Sequence, residues 1–201
     1  MWESEEVLRK NGFKSICGVD EAGRGPLAGP VFAAAVILPH GTDIPGIDDS
    51  KKLTEKKREE LYKKIIESAS AYAIASADQK EIDELNILNA TYLAMNRAIA
   101  NLSTEPSIAL IDGNRNEGIK YNSKCITGGD GLSASIAAAS ILAKVSRDRF
   151  MVKIADRYPE YMFDKHKGYG TKLHYEKLRE HGPSEIHRMS FLKNLLTKHS
   201  K

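Results

Sequence analysis

Four acidic residues lie beside glycine-containing turns at the ends of apolar segments. Asp20 and Glu21 follow an apolar stretch, Asp112 ends another, and Asp130 comes just before a long helical pattern. Hard divalent cations such as Mg²⁺ take oxygen ligands, and four carboxylates suit one or two such ions. The pattern therefore predicts that these four residues converge on a site that uses metal ions to cut a phosphate ester.

The adjacent pair raises a geometric problem, because successive side chains on a strand point to opposite faces. We therefore expect the strand to end or bend at Asp20, with Gly23 allowing the bend, or Glu21 to contribute its backbone carbonyl. Each acid also has another interpretation: Glu21 as a surface carboxylate, Asp112 as a turn residue and Asp130 as a helix N-cap. Only the four together favour a metal site.

The segment DEAGRGPLAGP, residues 20–30, is rich in glycine, so its backbone N–H groups can approach an anion closely. It lacks the Lys-Ser/Thr ending of a P-loop, and its spacing does not match a dinucleotide fingerprint.

Apolar periodicity predicts the elements that hold these residues, with short β-branched runs as strands and spacing of three or four residues as helices. In chain order they are strands at 16–19 and 31–38, a helix at 54–69, a strand at 72–77, a helix at 82–102, a strand at 107–111 and helices at 132–156 and 173–181. The first two strands are expected to pair antiparallel, and the stripe at 82–102 to pack in the core. From residue 158 onward we expect a smaller helical appendage.

Composition places the chain among ordinary globular proteins. Its 201 residues are 41% hydrophobic and 28% charged, with a net charge of +3, so a nucleic-acid surface must come from clustered charge. Cys17 and Cys125 are expected to be buried thiols that form no disulfide. The acidic N-terminus does not resemble a secretory signal, and the longest apolar run, residues 31–38, is too short for a bilayer. These features predict a cytoplasmic protein.

Further motifs follow in order: DSKKL at 49–53, EIDELNILNAT at 81–91, IDG at 111–113, GDGLSASIAAASILAKVSRD at 129–148, HKGYGT at 166–171 and HRMSF at 187–191. In order and spacing the chain resembles the type 2 ribonucleases H, and most closely bacterial ribonuclease HII. The resemblance covers nearly the whole chain, roughly residues 16–191.

The resemblance implies a ribonuclease H-like α/β fold, in which helices flank a mixed central sheet. Residues 1–157 would form the catalytic domain, and residues 158–201 a helical extension of it that grips the substrate. The implied activity is endonucleolytic cleavage of RNA in RNA/DNA hybrids, and cleavage 5′ of a single ribonucleotide in duplex DNA, leaving 3′-hydroxyl and 5′-phosphate ends. Roles in ribonucleotide excision repair and DNA replication would follow, in a monomer with no obligatory protein partner.

The resemblance also assigns residues. Asp20, Glu21, Asp112 and Asp130 match the four acids of the family, with Mg²⁺ or Mn²⁺ as cofactor. Gly23, Arg24 and Gly25 match the motif that recognises the ribose 2′-hydroxyl, the group that distinguishes RNA from DNA. Tyr169 matches the tyrosine that stacks on the neighbouring deoxyribose, although a core tyrosine is the alternative. Lys51 and Lys52 fit phosphate contacts, or a solvated charge pair.

Two departures separate this chain from its relatives. The family often has a lysine before the glycine–aspartate pair of the fourth acid, where this chain has Gly128 and Gly129 before Asp130. We expect no N-terminal substrate-binding domain of the ribonuclease HIII kind, and the GRG motif and the tyrosine, which that relative lacks, favour type HII. The competing functions are a metal nuclease with another substrate preference on the same fold, and a non-catalytic hybrid-binding module.

Overall fold

A mixed five-stranded sheet with helices on both faces forms the centre of the molecule in the computed structural model, which describes residues 1–47 and 53–197. The strands are β1 (Ile16–Ala22), β2 (Val31–Ile37), β3 (Ala71–Ala77), β4 (Ile108–Asp112) and β5 (Ser123–Ile126). The helices are α1 (Glu3–Lys10), α2 (Glu55–Ser68), α3 (Gln79–Ala100), α4 (Ala134–Arg157), α5 (Phe163–His166), α6 (Lys172–His181) and α7 (Met189–Thr197). Helix α3 covers one face of the sheet, and α4, backed by α2, covers the other.

The strand order is β3-β2-β1-β4-β5. Strands β1, β2 and β3 pair antiparallel, whereas β4 is parallel to both β1 and β5. The predicted α/β fold and the antiparallel β1–β2 pair are confirmed. Strand β5 was not predicted, because it has only four residues, is partly exposed at the sheet edge and contains no apolar run.

Helix α4 lies unusually close to β1, and a glycine makes this possible. A Cβ atom on Gly18 would lie 2.1 Å from the backbone carbon of Ser135, so only glycine fits there. The facing surface of α4 consists of buried small residues, including Ala137, Ala138 and Ala139, as its composition predicts. The close approach brings the next turn of α4 up to the second half of β1, where the Ser140 side chain hydrogen-bonds Asp20.

Helix α3 is interrupted at Asn86, whose φ of 67° and ψ of 165° are not helical. The side-chain oxygen of Asn86 accepts hydrogen bonds from the N–H groups of Leu88 and Asn89, which caps the second part of the helix. The break rotates the apolar stripe, and Leu85 is 37% exposed. The prediction that the whole stripe packs in the core is therefore wrong at Leu85.

The two cysteines differ in environment. Both are free, but only Cys17 is buried, and burial raises the pKa of its thiol to about 12. Cys125 lies on the edge strand β5 and is partly exposed, so the prediction of two buried thiols is wrong for it. Within residues 1–47 and 53–197, no helix is long and apolar enough to cross a membrane.

Beyond α4, the chain forms a cluster in which three buried histidines surround Phe163. The N–H of Ser184 donates to Nδ1 of His187 at 2.9 Å, so Nε2–H of His187 donates to Nε2 of His174 at 3.0 Å. Nδ1–H of His174 then donates to the carbonyl oxygen of Tyr169 at 2.9 Å. These partners assign neutral forms to His174 and His187.

This cluster predicts that stability falls in acid. Burial lowers the pKa of both His174 and His187 to about 4. An unfolded histidine titrates near pH 6.5, so the unfolded chain binds more protons between about pH 6.5 and pH 4. The contribution of the neutral rings is complete above pH 6.5 and is lost as the pH falls towards 4, on the order of a few kcal/mol for the pair of rings together. Urea denaturation at several pH values measures this loss.

His187→Gln keeps a group that can donate to His174 but does not titrate, so its free energy of unfolding should depend less steeply on pH. His40 is exposed, and His40→Asn should retain the wild-type slope. Equal slopes for wild type and His187→Gln between pH 4 and 6.5 would contradict the assignment.

Candidate active site

The carboxyl ends of two parallel strands bring Asp20 and Asp112 side by side. Val19 of β1 pairs with Ile111 of β4, and the two aspartates are the next residues along each strand. Paired residues of parallel strands face the same side of a sheet, so both carboxylates lie on the face that carries α4. Ligands of α/β proteins bind at this edge of a sheet.

Asp20 is only 4% exposed, and its environment disfavours the charged form. Burial, followed by the nearby charges of Glu21 and Asp112, raises the pKa of Asp20 well above its ordinary value. Hydrogen bonds from the Ser140 side chain and from the N–H of Glu21, the latter at 2.7 Å, partly oppose this rise. A cation beside Asp20 and Asp112 would relieve this repulsion.

The predicted bend at Asp20 is wrong, because β1 continues to Ala22. Strand β2 keeps the segment straight, with Asp20 opposite Ala34 and Glu21 opposite Ala33. The turn begins only at Gly23, where φ is +97°. Glu21 therefore starts on the α3 face of the sheet, where Oε1 lies 3.4 Å from Nη1 of Arg24.

Asp112 and Asp130 are connected through the loop after β5. Oδ1 of Asp112 accepts a hydrogen bond from the N–H of Gly129 at 2.7 Å, so this carboxylate reaches into the neighbouring loop. Asp130 is 8% exposed in a 3₁₀ turn at Gly129–Gly131. Ser133 caps α4 by accepting from the N–H of Ile136, so the alternative that Asp130 is the N-cap is wrong.

A cleft of about 550 Å³ opens over Asp20, Glu21 and Asp112, and Tyr169 lies on its wall. Asp130 is not among the residues that line this cleft. In the described part of the chain, no group of three or more His, Cys, Asp or Glu side chains is arranged to hold a metal ion. The structure thus pairs Asp20 with Asp112 and brings Glu21 to the same cleft, while Asp130 follows Gly129, the residue whose N–H group binds Asp112. The oxygen donors of the paired aspartates nevertheless suit Mg²⁺ or Mn²⁺.

Three of the predicted substrate residues line the same cleft: Gly23, Arg24 and Tyr169. Gly23, buried, and Arg24, exposed, both line it, and exposed Gly25 continues the loop. A Cβ on Gly23 would lie 2.0 Å from Nε of Arg147, so glycine is required there. Tyr169 is 40% exposed, which makes the core-tyrosine alternative wrong. Lys51 and Lys52 lie outside the described residues, so their predicted phosphate contacts stay a prediction.

The cleft wall also contains three polar residues that were not predicted as site residues: Arg58, Ser140 and Lys144. Lys144 donates to Asp148 at 2.8 Å, and its Nζ lies 5.7 Å from the centre of the Tyr169 ring. The sequence does contain a pattern that could have identified Ser140 and Lys144. Ser140, Lys144 and Asp148 recur every four residues, which places polar groups on one face of a helix that is otherwise rich in alanine.

Comparison with known proteins identifies relatives along almost the whole chain. The family model described as Ribonuclease HII matches residues 17–194. A ribonuclease HII of Caldicellulosiruptor bescii is 59% identical over 98% of this chain and 95% of the relative. A ribonuclease HII of Burkholderia mallei is 58% identical over 88% of this chain and 82% of the relative.

Solved structures agree with this assignment. The ribonuclease H2 of Pyrococcus horikoshii OT3 has a TM-score of 0.71 and 29% identity, with 88% of this chain and 93% of that chain covered. A structure of Bst-RNase HIII in complex with Mn²⁺ has a TM-score of 0.69 over 92% of this chain and 70% of that chain. At 19% identity this second likeness shows the fold alone. Together with the family model and the curated relatives, these findings show that the chain belongs to the ribonuclease HII family.

Proposed function

We propose that the protein cuts the RNA strand of RNA/DNA hybrids, and cuts duplex DNA on the 5′ side of a single ribonucleotide. Membership of the family makes it a metal-dependent endoribonuclease of the ribonuclease H type. The single-ribonucleotide activity, and products with 3′-hydroxyl and 5′-phosphate ends, are the finer part of the proposal. The observation that carries it is the pair of buried Asp20 and partly exposed Asp112, which lies in one cleft with Gly23 and Tyr169.

Asp20 and Asp112 would hold Mg²⁺ or Mn²⁺, and Glu21 and Asp130 are proposed to complete the ligand set. Two such ions, when bound, supply an activated water and stabilise the leaving oxygen. Asp20 and Asp112 lie on adjacent, firmly paired strands, so their positions are set before any ion binds. Gly129 holds the Asp112 carboxylate through its N–H group, which limits the rotation of that side chain.

The remaining groups of the cleft suit a nucleic acid. Arg58 and Lys144 contribute positive charge to the wall, and such cations position a phosphate backbone without reading sequence. Gly23, Arg24 and Gly25 are proposed to contact the ribose 2′-hydroxyl, and Tyr169 to stack on the neighbouring deoxyribose. Because Tyr169 comes after α4, we propose that residues 158–201 act as the extension that grips the substrate. Such cleavage would serve ribonucleotide removal from DNA.

A gel assay tests substrate, metal and enzyme class together. The substrates are a long RNA/DNA hybrid, duplex DNA with one ribonucleotide and all-DNA duplex, each with Mg²⁺, Mn²⁺ or EDTA. We expect cutting of the first two, only with a metal, and one nick on the 5′ side of the ribonucleotide. Cutting of the long hybrid alone would contradict the proposed ribose recognition. Binding without cutting under every metal condition would favour the hybrid-binding module.

A further inference from the structure

A fully buried arginine lies beneath the loop that is proposed to recognise ribose. Arg188 is 0% exposed, and its guanidinium donates three hydrogen bonds, all to backbone carbonyl oxygens. Nε donates to Gly29 at 2.8 Å, Nη1 to Arg24 at 2.8 Å and Nη2 to Gly23 at 2.6 Å. One side chain near the C-terminal helix thus holds two consecutive carbonyl groups of the GRG segment.

Because the peptide group is planar, the hydrogen bonds that hold its C=O group also fix the direction of its N–H group. In a trans peptide the C=O and N–H groups point in opposite directions. The Gly23 carbonyl shares its peptide with the N–H of Arg24, and the Arg24 carbonyl shares its peptide with the N–H of Gly25. Since Arg188 draws both carbonyls inward, both N–H groups are directed away from it. Arg24 and Gly25 are exposed, and Gly23 and Arg24 line the cleft, so the side of the loop away from Arg188 is the side open to a substrate.

This arrangement depends on a guanidinium. Its planar fork directs donors at several carbonyls at once, whereas a lysine ammonium has no such fixed geometry. Burying the cation is costly: burial, together with the charge of Arg147, lowers the pKa of Arg188 to about 9. The nearby groups Tyr169 and Asp83 act in the other direction. A buried cation whose three bonds all go to one loop indicates a positional requirement in that loop.

We propose that Arg188 is a positioning residue that holds the Gly23 and Arg24 carbonyls inward and thereby presents the N–H groups of Arg24 and Gly25 to the ribose 2′-hydroxyl. This inference rests on the proposed function of the GRG segment. It adds to the ribose-recognition site a residue about 160 positions away in the chain. It predicts that replacing Arg188 reduces the discrimination between ribose and deoxyribose.

The experiment compares binding of duplex DNA containing one ribonucleotide with binding of all-DNA duplex, in EDTA, by fluorescence anisotropy. For the wild type we expect tighter binding of the ribonucleotide duplex. We define the Kd ratio as the Kd for all-DNA duplex divided by the Kd for the ribonucleotide duplex. Arg188→Lys keeps the charge but loses the planar fork of donors. It should lower this ratio about tenfold, towards one, because one or two hydrogen bonds to the ribose are lost. The Kd for all-DNA duplex should change little.

Two matched controls separate positioning from general stability. Arg97→Lys also removes an arginine fork, which there binds Glu81 and the Ser76 carbonyl. Leu8→Ala loosens a separate buried cluster, formed with residues of β1, β4 and α4, that includes no residue of the loop or of the C-terminal extension. Both variants should lower Tm and keep the Kd ratio. Loss of the ratio in Leu8→Ala as well would overturn the positioning role.

Amide hydrogen exchange in the wild type gives a second test that needs no variant. The amides of Arg24 and Gly25 should exchange quickly in the free protein and become protected by the ribonucleotide duplex but not by all-DNA duplex. Equal protection by the two would overturn the inference. A wild type that binds both duplexes equally would refute the proposed ribose recognition itself, whereas wild-type preference retained by Arg188→Lys would refute only the role of Arg188.

Discussion

Asp20→Asn and Asp112→Asn should each reduce metal-dependent cleavage of an RNA/DNA hybrid by about 10³-fold or more. Asparagine keeps the shape of the side chain but removes a charge from the paired site. Metal ions supply several kcal/mol of transition-state stabilisation, and each 1.36 kcal/mol corresponds to a factor of ten in rate. Cleavage rates at saturating Mg²⁺ and Mn²⁺ measure the loss, and hybrid binding should largely survive.

Asp20→Asn should not destabilise the protein. Burial and the neighbouring carboxylates already disfavour the charge on Asp20, so Asp20→Asn should leave Tm unchanged or raise it. Asp156→Asn, on the exposed part of α4, is the matched control and should retain full cleavage. Turnover within tenfold of wild type in both Asp20→Asn and Asp112→Asn would refute the metal assignment.

Much of the fold follows from local patterns. Residues 31–38 form an apolar run whose short length favours a buried strand over a helix. Thr54 caps α2 by accepting from the N–H of Lys57, close to where the sequence predicts the helix to start. Strand β5 and the break at Asn86 escape such reasoning. In the first case the strand is too short for a periodic signal, and in the second a single polar side chain overrides a strong helical stripe.

The sequence predicts which residues form the site, but it does not predict how they are placed relative to one another. The sequence identifies Asp20 and Asp112, but their adjacency depends on β4 pairing in parallel with β1, a contact between segments about 90 residues apart. The bend predicted at Asp20 fails because strand pairing with β2 outweighs a neighbouring glycine. Arg147 and Arg188 look like ordinary surface arginines in the sequence, since burial of a charged residue depends on partners distant in the chain.

Tyr169→Ala should reduce nicking at a single ribonucleotide by about 10- to 100-fold, because an aromatic side chain stacked on a nucleotide contributes about 1–3 kcal/mol. Cleavage of a long hybrid should decline less, since other ribonucleotides can occupy the cleft. The fold should survive. The ring is 40% exposed, and the histidine cluster holds the carbonyl of Tyr169, which the substitution keeps.

Two further variants decide what the ring contributes. Tyr169→Phe keeps the aromatic face and should retain most of the nicking, because stacking does not need the hydroxyl group. Tyr72→Ala removes a tyrosine of nearly equal exposure, 39%, from β3 and should leave both activities unchanged. Lys144 and Arg147 lie 5.7 and 5.5 Å from the ring centre of Tyr169, so these cations favour one orientation of the ring before substrate binds. If Tyr169→Ala lost both activities equally, the ring would act on cleavage in general, and its proposed role at the RNA–DNA junction would be wrong.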